Sequence, residues 1–244
     1  MKSTIKYLVL IIMCWVCGEN LQAQPYMFRN VVMSDGLSGL LVNAIYKDSE
    51  GFVWLGTDNC LDRFDGVKVR RYEFRGVDSG RKKRVNCITE TADNQLWVGN
   101  GIGLWRLNRA NGQLERIVPE KIDFAVNTLL PDGDILYIGT EKGLFIQKDG
   151  QLLQVLTDRN MLAACNRIMD LCLNEDKSAL WLATVQGLFS YSLKDGKIDS
   201  WHFQENVPEA DYFRCLTRIG ETLYLGSSFR YKQKELFAYS IFRL

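Results

Sequence analysis

His202 is the single histidine among 244 residues, and that limits the chemistry open to this chain. A Ser–His or Cys–His pair needs an imidazole as base, and a histidine-rich metal centre needs several. His202 lies in Trp201-His202-Phe203, after an expected outer strand, and reads as a structural histidine. Asp and Glu number 29, but nearly all fall in turn-like contexts. None marks the facing pair that a glycosidase needs. The five cysteines beyond residue 23 show no C-x-x-C spacing, so zinc is not expected, and no Gly-rich loop opens a helix to hold a nucleotide. The sequence therefore gives no catalytic residue, no metal site and no cofactor. The remaining candidates bind rather than react. Arg81, Lys82, Lys83 and Arg84, with Arg70, Arg71 and Arg75 upstream, suit an acidic glycan, or simply a solvated loop. Trp105 and Trp201 lie outside the repeat register described below, and either suits a sugar ring, or the core.

The elements that carry these residues begin after an address. Lys2 and Lys6 precede an apolar run over 7–17, too short to span a bilayer, which takes roughly 20 residues. Residues 1–23 read as a signal peptide cut after Ala23. Removing Cys14 and Cys17 leaves five cysteines, an odd number, so they cannot all pair within one chain. Lys and Arg number 30 against the 29 acids, so no basic surplus points to nucleic acid.

One phrase recurs through the rest: aromatic, aliphatic, small, polar. It reads Trp54-Leu55-Gly56-Thr57, Trp97-Val98-Gly99-Asn100, Tyr137-Ile138-Gly139-Thr140, Trp181-Leu182-Ala183-Thr184 and Tyr224-Leu225-Gly226-Ser227. The aromatics are 43, 40, 44 and 43 positions apart. Upstream of each lies a short strand pattern: Asn43-Ala44-Ile45, Asn86-Cys87-Ile88, Asn127-Thr128-Leu129, Asn166-Arg167-Ile168 and Arg214-Cys215-Leu216. Three turn signals divide each period, the last being Asp65-Gly66, Asn111-Gly112, Asp149-Gly150 and Asp195-Gly196. Such pairs signal hairpins in which both central residues take positive φ. Three turns make four antiparallel strands, in the first copy near 42–47, 52–57, 61–65 and 67–74.

A four-stranded meander whose inner strands are apolar on both faces must be covered twice. Radial stacking of such sheets does this, and the expected fold is an all-β propeller over 24–244. Its blades fall near 42–74, 85–117, 126–156, 165–203 and 213–244. The phrase aromatics become anchors between blades. Cys87 and Cys215 share a repeat position with Ala44, Thr128 and Arg167, at least about 10 Å from each other, beyond the roughly 7 Å of a disulfide.

The stretch Gly36-Leu37-Ser38, Asn43-Ala44-Ile45, Asp48-Ser49-Glu50-Gly51-Phe52-Val53-Trp54-Leu55-Gly56-Thr57 and Leu61-Asp62-Arg63-Phe64-Asp65-Gly66 resembles the two-component regulator propeller repeat. Asp48 to Trp54 also has a faint likeness to the Asp-box of sialidase propellers, which the turn explains without catalysis. The regulator resemblance implies the N-terminal periplasmic sensor part of a Bacteroides-type hybrid two-component system. It implies an oligosaccharide ligand, and kinase, output, dimerising and membrane segments that lie outside this chain. It also implies a partial seven-bladed ring. A closed five-bladed ring, completed by an outer strand over 26–33, is the alternative. A stand-alone glycan- or protein-binding propeller and a carbohydrate-active enzyme are the other readings of function.

Overall fold

Each copy of the period folds into one antiparallel meander, and the phrase forms its second strand. The computed structural model describes residues 29–77, 83–117, 122–156, 167–201, 213–228 and 239–243. The first sheet holds β1 (Val42–Lys47), β2 (Val53–Thr57), β3 (Leu61–Phe64) and β4 (Val69–Tyr72). The second holds β5 (Val85–Glu90), β6 (Leu96–Asn100), β7 (Gly103–Asn108) and β8 (Gln113–Ile117). The third holds β9 (Val126–Asp132), β10 (Ile135–Thr140), β11 (Gly143–Lys148) and β12 (Gln151–Gln154). The fourth holds β13 (Ile168–Leu173), β14 (Ala179–Thr184), β15 (Gly187–Ser192) and β16 (Ile198–Trp201). The fifth shows three strands among the described residues, β17 (Phe213–Ile219), β18 (Thr222–Ser228) and β19 (Tyr239–Arg243). The first strand of each sheet lies beside the first strand of the next. This is the expected propeller of four-stranded blades. The chain divides at Val31 into two units, and all five sheets belong to the unit Val32–Leu244.

The core lies between blades. Trp54, Tyr72 and Phe74 of the first blade pack with Val85, Ile88, Val98 and Trp105 of the second. Trp97 and Leu104 pack with Val126, Ile138 and Phe145 of the third. Tyr137 and Leu144 pack with Ile168, Leu171 and Leu182 of the fourth. Ala183 and Leu188 pack with Phe213, Leu216 and Leu225 of the fifth. The faces between neighbouring blades are thus covered, as the apolar runs of the inner strands require.

The small and polar residues of the phrase have separate causes. A Cβ on Gly139 would lie 2.5 Å from Thr128 Cγ2 and 2.7 Å from Ile168 Cγ2 of the next blade. A Cβ on Gly99 would lie 2.4 Å from Cys87 Sγ and 2.6 Å from Val126 Cγ1. The next blade therefore occupies the space of the missing side chain. Gly139→Ala is expected to cost about 1–3 kcal/mol through overpacking. Urea unfolding checks this, and an unchanged midpoint would contradict it. The polar residue closes the turn that follows. Thr140 Oγ1 donates to the Gly143 carbonyl at 2.8 Å, and Thr184 Oγ1 to the Gly187 carbonyl at 2.8 Å. In the second blade Asn100 Oδ1 accepts from the Ile102 amide instead.

Three expectations are corrected. In the fourth blade, Ile168 pairs with Thr184 and Asp170 with Ala183, across a bulge that recurs in all five blades. Asp170, not Arg167, therefore shares the position of Ala44, Cys87, Thr128 and Cys215. The apparent match of Asn166 with Asn43 misled by three residues. Secondly, among the Asx-Gly pairs only Asp149-Gly150 has positive φ at both residues. At the others glycine alone turns over, and the Asx side chain caps the turn. Asp65 Oδ1, for example, accepts from the Val67 and Lys68 amides at 2.8 and 2.7 Å. These bonds hold the Asp65 carboxyl below its ordinary range. Thirdly, the outer strand expected over 26–33 does not form in its described part. Residues 29–32 are irregular, and a 3-10 turn follows at Met33–Asp35. The signal peptide expected over residues 1–23 lies outside the described residues. Among those residues no helix is long and apolar enough to cross a membrane.

Candidate functional site

An open groove runs between the fourth and fifth blades, on the side where β13 turns into β14. Trp181 on β14 and Trp201 on β16 share one sheet face, because Trp181 pairs across the strand with Ser190 and Trp201 sits diagonally from it. Their rings lie 5.1 Å apart at 60°. Trp201 Nε1 donates to Ser190 Oγ at 3.1 Å, which fixes the indole plane. Trp201 is 45% exposed. Trp181, an anchor by register, is only half-buried, whereas Trp54 and Trp97 are buried.

The opposite wall is the β17–β18 hairpin, which brings Arg218, Glu221 and Leu223. The floor is the turn from β13 to β14, with Asn174, Glu175 and Asp176. The groove encloses about 570 Å³, within the range of ligand pockets. Its polar groups are pre-set. Arg218 Nη1 donates to the Gly220 carbonyl at 2.8 Å. Asn174 Oδ1 accepts from the Ala179 amide at 2.9 Å. Asp176 Oδ1 accepts from the Ser178 hydroxyl at 2.7 Å and its amide at 3.1 Å. These bonds lower the Asp176 pKa, the hydroxyl first, so the carboxylate stays ionised. An indole face beside one guanidinium and three carboxylates suits a sugar. The ring's C–H face stacks on tryptophan, and its hydroxyls donate to carboxylates.

The corresponding groove between the second and third blades is smaller, about 250 Å³. There Trp97 is buried, the Arg106 guanidinium lies 5.8 Å from its ring centre, and Trp97 Nε1 donates to Thr91 Oγ1 at 3.1 Å. Its aromatic is used up in packing. Trp181, by contrast, keeps part of its surface open to the wider groove.

Of the candidate binding residues named from the sequence, Trp201 alone enters the groove. Trp105 is corrected to core. It is 1% exposed, donates Nε1 to Asn100 Oδ1 at 3.2 Å and meets Phe74 at 5.0 Å. Arg81, Lys82 and His202 lie outside the described residues. Lys83 is half-buried and Arg84 exposed, far along the chain from the groove. Asp48 is a buried structural acceptor. Its Oδ1 takes the Phe52 amide at 2.9 Å and its Oδ2 takes Trp54 Nε1 at 2.8 Å. Cys60, Cys87, Cys172 and Cys215 are unpaired, in line with the register. Burial pushes their thiol pKa values up.

Arg218, Glu175, Asp176 and Glu221 escaped the sequence reading because turn residues on different blades carry no shared motif.

Residues 36–59 match the model of the two component regulator propeller family. No curated protein matches the chain. Among solved structures, the extracellular domain of the hybrid two component system BT3049 from B. thetaiotaomicron superposes with a TM-score of 0.69 at 20% identity, over 88% of this chain and 32% of that one. The corresponding domain of BT4673 from the same organism gives 0.64 at 24% identity, over 77% and 26%. Virginiamycin B lyase from Staphylococcus aureus gives 0.60 at 15% identity, over 82% and 69%. These likenesses show a shared fold. The chain spans about a quarter to a third of the two sensor structures.

Proposed function

We propose that this chain is the periplasmic ligand-sensing propeller segment of a hybrid two-component regulator, and that it binds an oligosaccharide released from polysaccharide breakdown in the Trp181–Trp201 groove. The exposed, hydrogen-bonded Trp201 beside pre-set polar groups carries this reading. The family match at residues 36–59 and the likeness to two extracellular sensor domains support its setting. The chain's part is binding. A ligand that prefers one arrangement of the sensor shifts the population toward it, and domains beyond this chain pass the shift on.

The propeller is read here as part of a larger ring. Ile45 is 71% exposed, whereas its repeat equivalents Ile88, Leu171 and Leu216 are buried and Leu129 is half-buried. Leu40 and Leu41 beside it are also exposed. In the other blades this position meets the preceding blade, so the first blade offers the face on which a further blade packs.

Trp201→Ala is expected to weaken binding of the cognate oligosaccharide at least about tenfold, the worth of one stacked aromatic. Its thermal midpoint should stay close to wild type, since Trp201 lies at the rim. Calorimetric titration over a panel of plant and host oligosaccharides, with product analysis alongside, tests this. Ligand retained intact and lost on substitution supports sensing. Release of cleaved product points to the enzyme reading, and equal binding by the variant removes the groove.

A further inference from the structure

A second groove lies between the outer strands of the first two blades, and its chemistry differs. It encloses about 360 Å³ between β4 and the turn before β8. Arg70, Arg71 and Arg75 line it, facing Asn111 and Gly112, with Glu73 as the one acid. All three arginines are exposed. The Arg70 guanidinium is held 5.1 Å from the centre of the Tyr72 ring and lies against the Gly112 backbone, where a Cβ would come within 3.2 Å of Nη2.

None of these three arginines pairs with a carboxylate among the described residues, whereas Arg106, Arg109, Arg116, Arg167, Lys177 and Lys197 all do. Arg109, for instance, holds Glu50 and Glu90 at 2.7 Å each, tying the first two blades together. The arrangement on β4 is also locally unfavourable. Arg70 pairs across the strands with Arg63, so like charges face one another. Arg63 stacks on the Phe52 ring at 4.1 Å and offers no counter-charge. Arg71 lies opposite Asp62 in the same pairing, so the like-charge conflict is confined to Arg63 and Arg70; a local conflict of this kind marks a place where function can outweigh local stability. An edge strand can carry a charge to deter pairing with other chains, but three guanidiniums around one groove exceed that need.

We infer that the Arg70–Arg71–Arg75 groove binds the sulfate or carboxylate groups of an acidic oligosaccharide, through charge-assisted and bidentate guanidinium contacts. The oxyanion chemistry rests on these arginines alone. The glycan as its carrier rests on the reading of the chain as a sugar sensor.

The test is calorimetric titration of the purified chain with a heparin-derived hexasaccharide, its desulfated counterpart, inorganic sulfate and anionic phospholipid vesicles. The variants are Arg70→Gln/Arg71→Gln/Arg75→Gln, and Trp201→Ala as a control for the other groove. Sulfated hexasaccharide binding that falls with salt, and drops at least about tenfold in the triple variant but not in Trp201→Ala, is the expected result. Equal binding by the triple variant overturns the proposal. So does equal binding of the desulfated sugar, or binding of vesicles or free sulfate alone. Self-association of the triple variant with hexasaccharide binding intact would assign the arginines to edge protection and likewise overturn it. Because Trp201→Ala reports on the other groove, failure here is separable from failure of the sensing reading.

Discussion

Replacing Trp54 with alanine is expected to destabilise the propeller by about 3–5 kcal/mol, the usual range for a fully buried tryptophan. Its side chain is 0% exposed and fills the layer between the first two blades, with Tyr72 at 5.2 Å. The loss has two parts. One is volume and apolar contact. The other is polar, because Trp54 Nε1 donates to Asp48 Oδ2 at 2.8 Å, and Asp48 is itself buried. Trp54→Phe separates them. It keeps most of the packing and removes the donor, and should cost about 1–3 kcal/mol. Urea denaturation of wild type and both variants measures the split. Equal stability of Trp54→Phe and wild type would show that the Asp48 bond contributes nothing. Equal stability of all three would contradict the inter-blade core.

Asp170→Ala should cost about 3 kcal/mol, although no apolar volume of note is lost. Asp170 joins three blades at their innermost strands. Its Oδ1 accepts from Thr128 Oγ1 of the third blade at 2.9 Å and from its own neighbour's amide, Leu171, at 2.9 Å. Its Oδ2 accepts from the Leu216 amide of the fifth blade at 2.9 Å. Removing the carboxyl leaves these donors without their acceptor, all three of them on buried residues. Burial, opposed by the same three bonds, raises the Asp170 pKa overall. A raised native pKa means that the folded state holds the proton more tightly than the unfolded chain, whose value is about 3.9. The contribution is therefore full below that value and declines as pH rises through the native pKa. The gap between wild type and Asp170→Ala should be wider near pH ~3.5 than near pH ~7. A gap that widens toward neutral pH would contradict the assignment.

The contrast between these two residues explains how far the sequence could be read. Trp54 belongs to a motif repeated at near-constant spacing, so its strand, its turn and its burial between blades all follow from periodicity. The same holds for Gly139, whose small size answers to the next blade, and for Thr140, whose hydroxyl closes a turn. Asp170 was hidden because its residue type does not repeat, the same position holding Ala44, Cys87, Thr128 and Cys215 in the other copies. Asn166 offered a false match, and only strand pairing shows the true register. Hairpin chemistry was legible as turns but not as turn types, since the Asx side chains of Asp65, Asn111 and Asp195 cap longer loops that a dipeptide does not distinguish.

The candidate site was legible in one residue, Trp201, because an aromatic outside the anchor register stands out. Trp105 stood out for the same reason and is core. In the first blade Asp62 takes its place in the strand, and that buried carboxylate accepts the Ser38 amide at 2.6 Å, so the first copy could not serve as a guide to the second. The rest of the groove is assembled from hairpins of two blades, and a juxtaposition of that kind leaves no mark in spacing.

Intrinsic tryptophan fluorescence during titration with oligosaccharides tests the central claim most directly, because Trp201 is the one tryptophan among those described that is both exposed and at the groove. A saturable change on adding the cognate oligosaccharide, present in wild type and absent in Trp201→Ala, with the sugar recovered intact, is the predicted result. A saturable change of equal size in the variant, or recovery of cleaved sugar, would contradict the assignment of this chain as a sensor that binds in the Trp181–Trp201 groove.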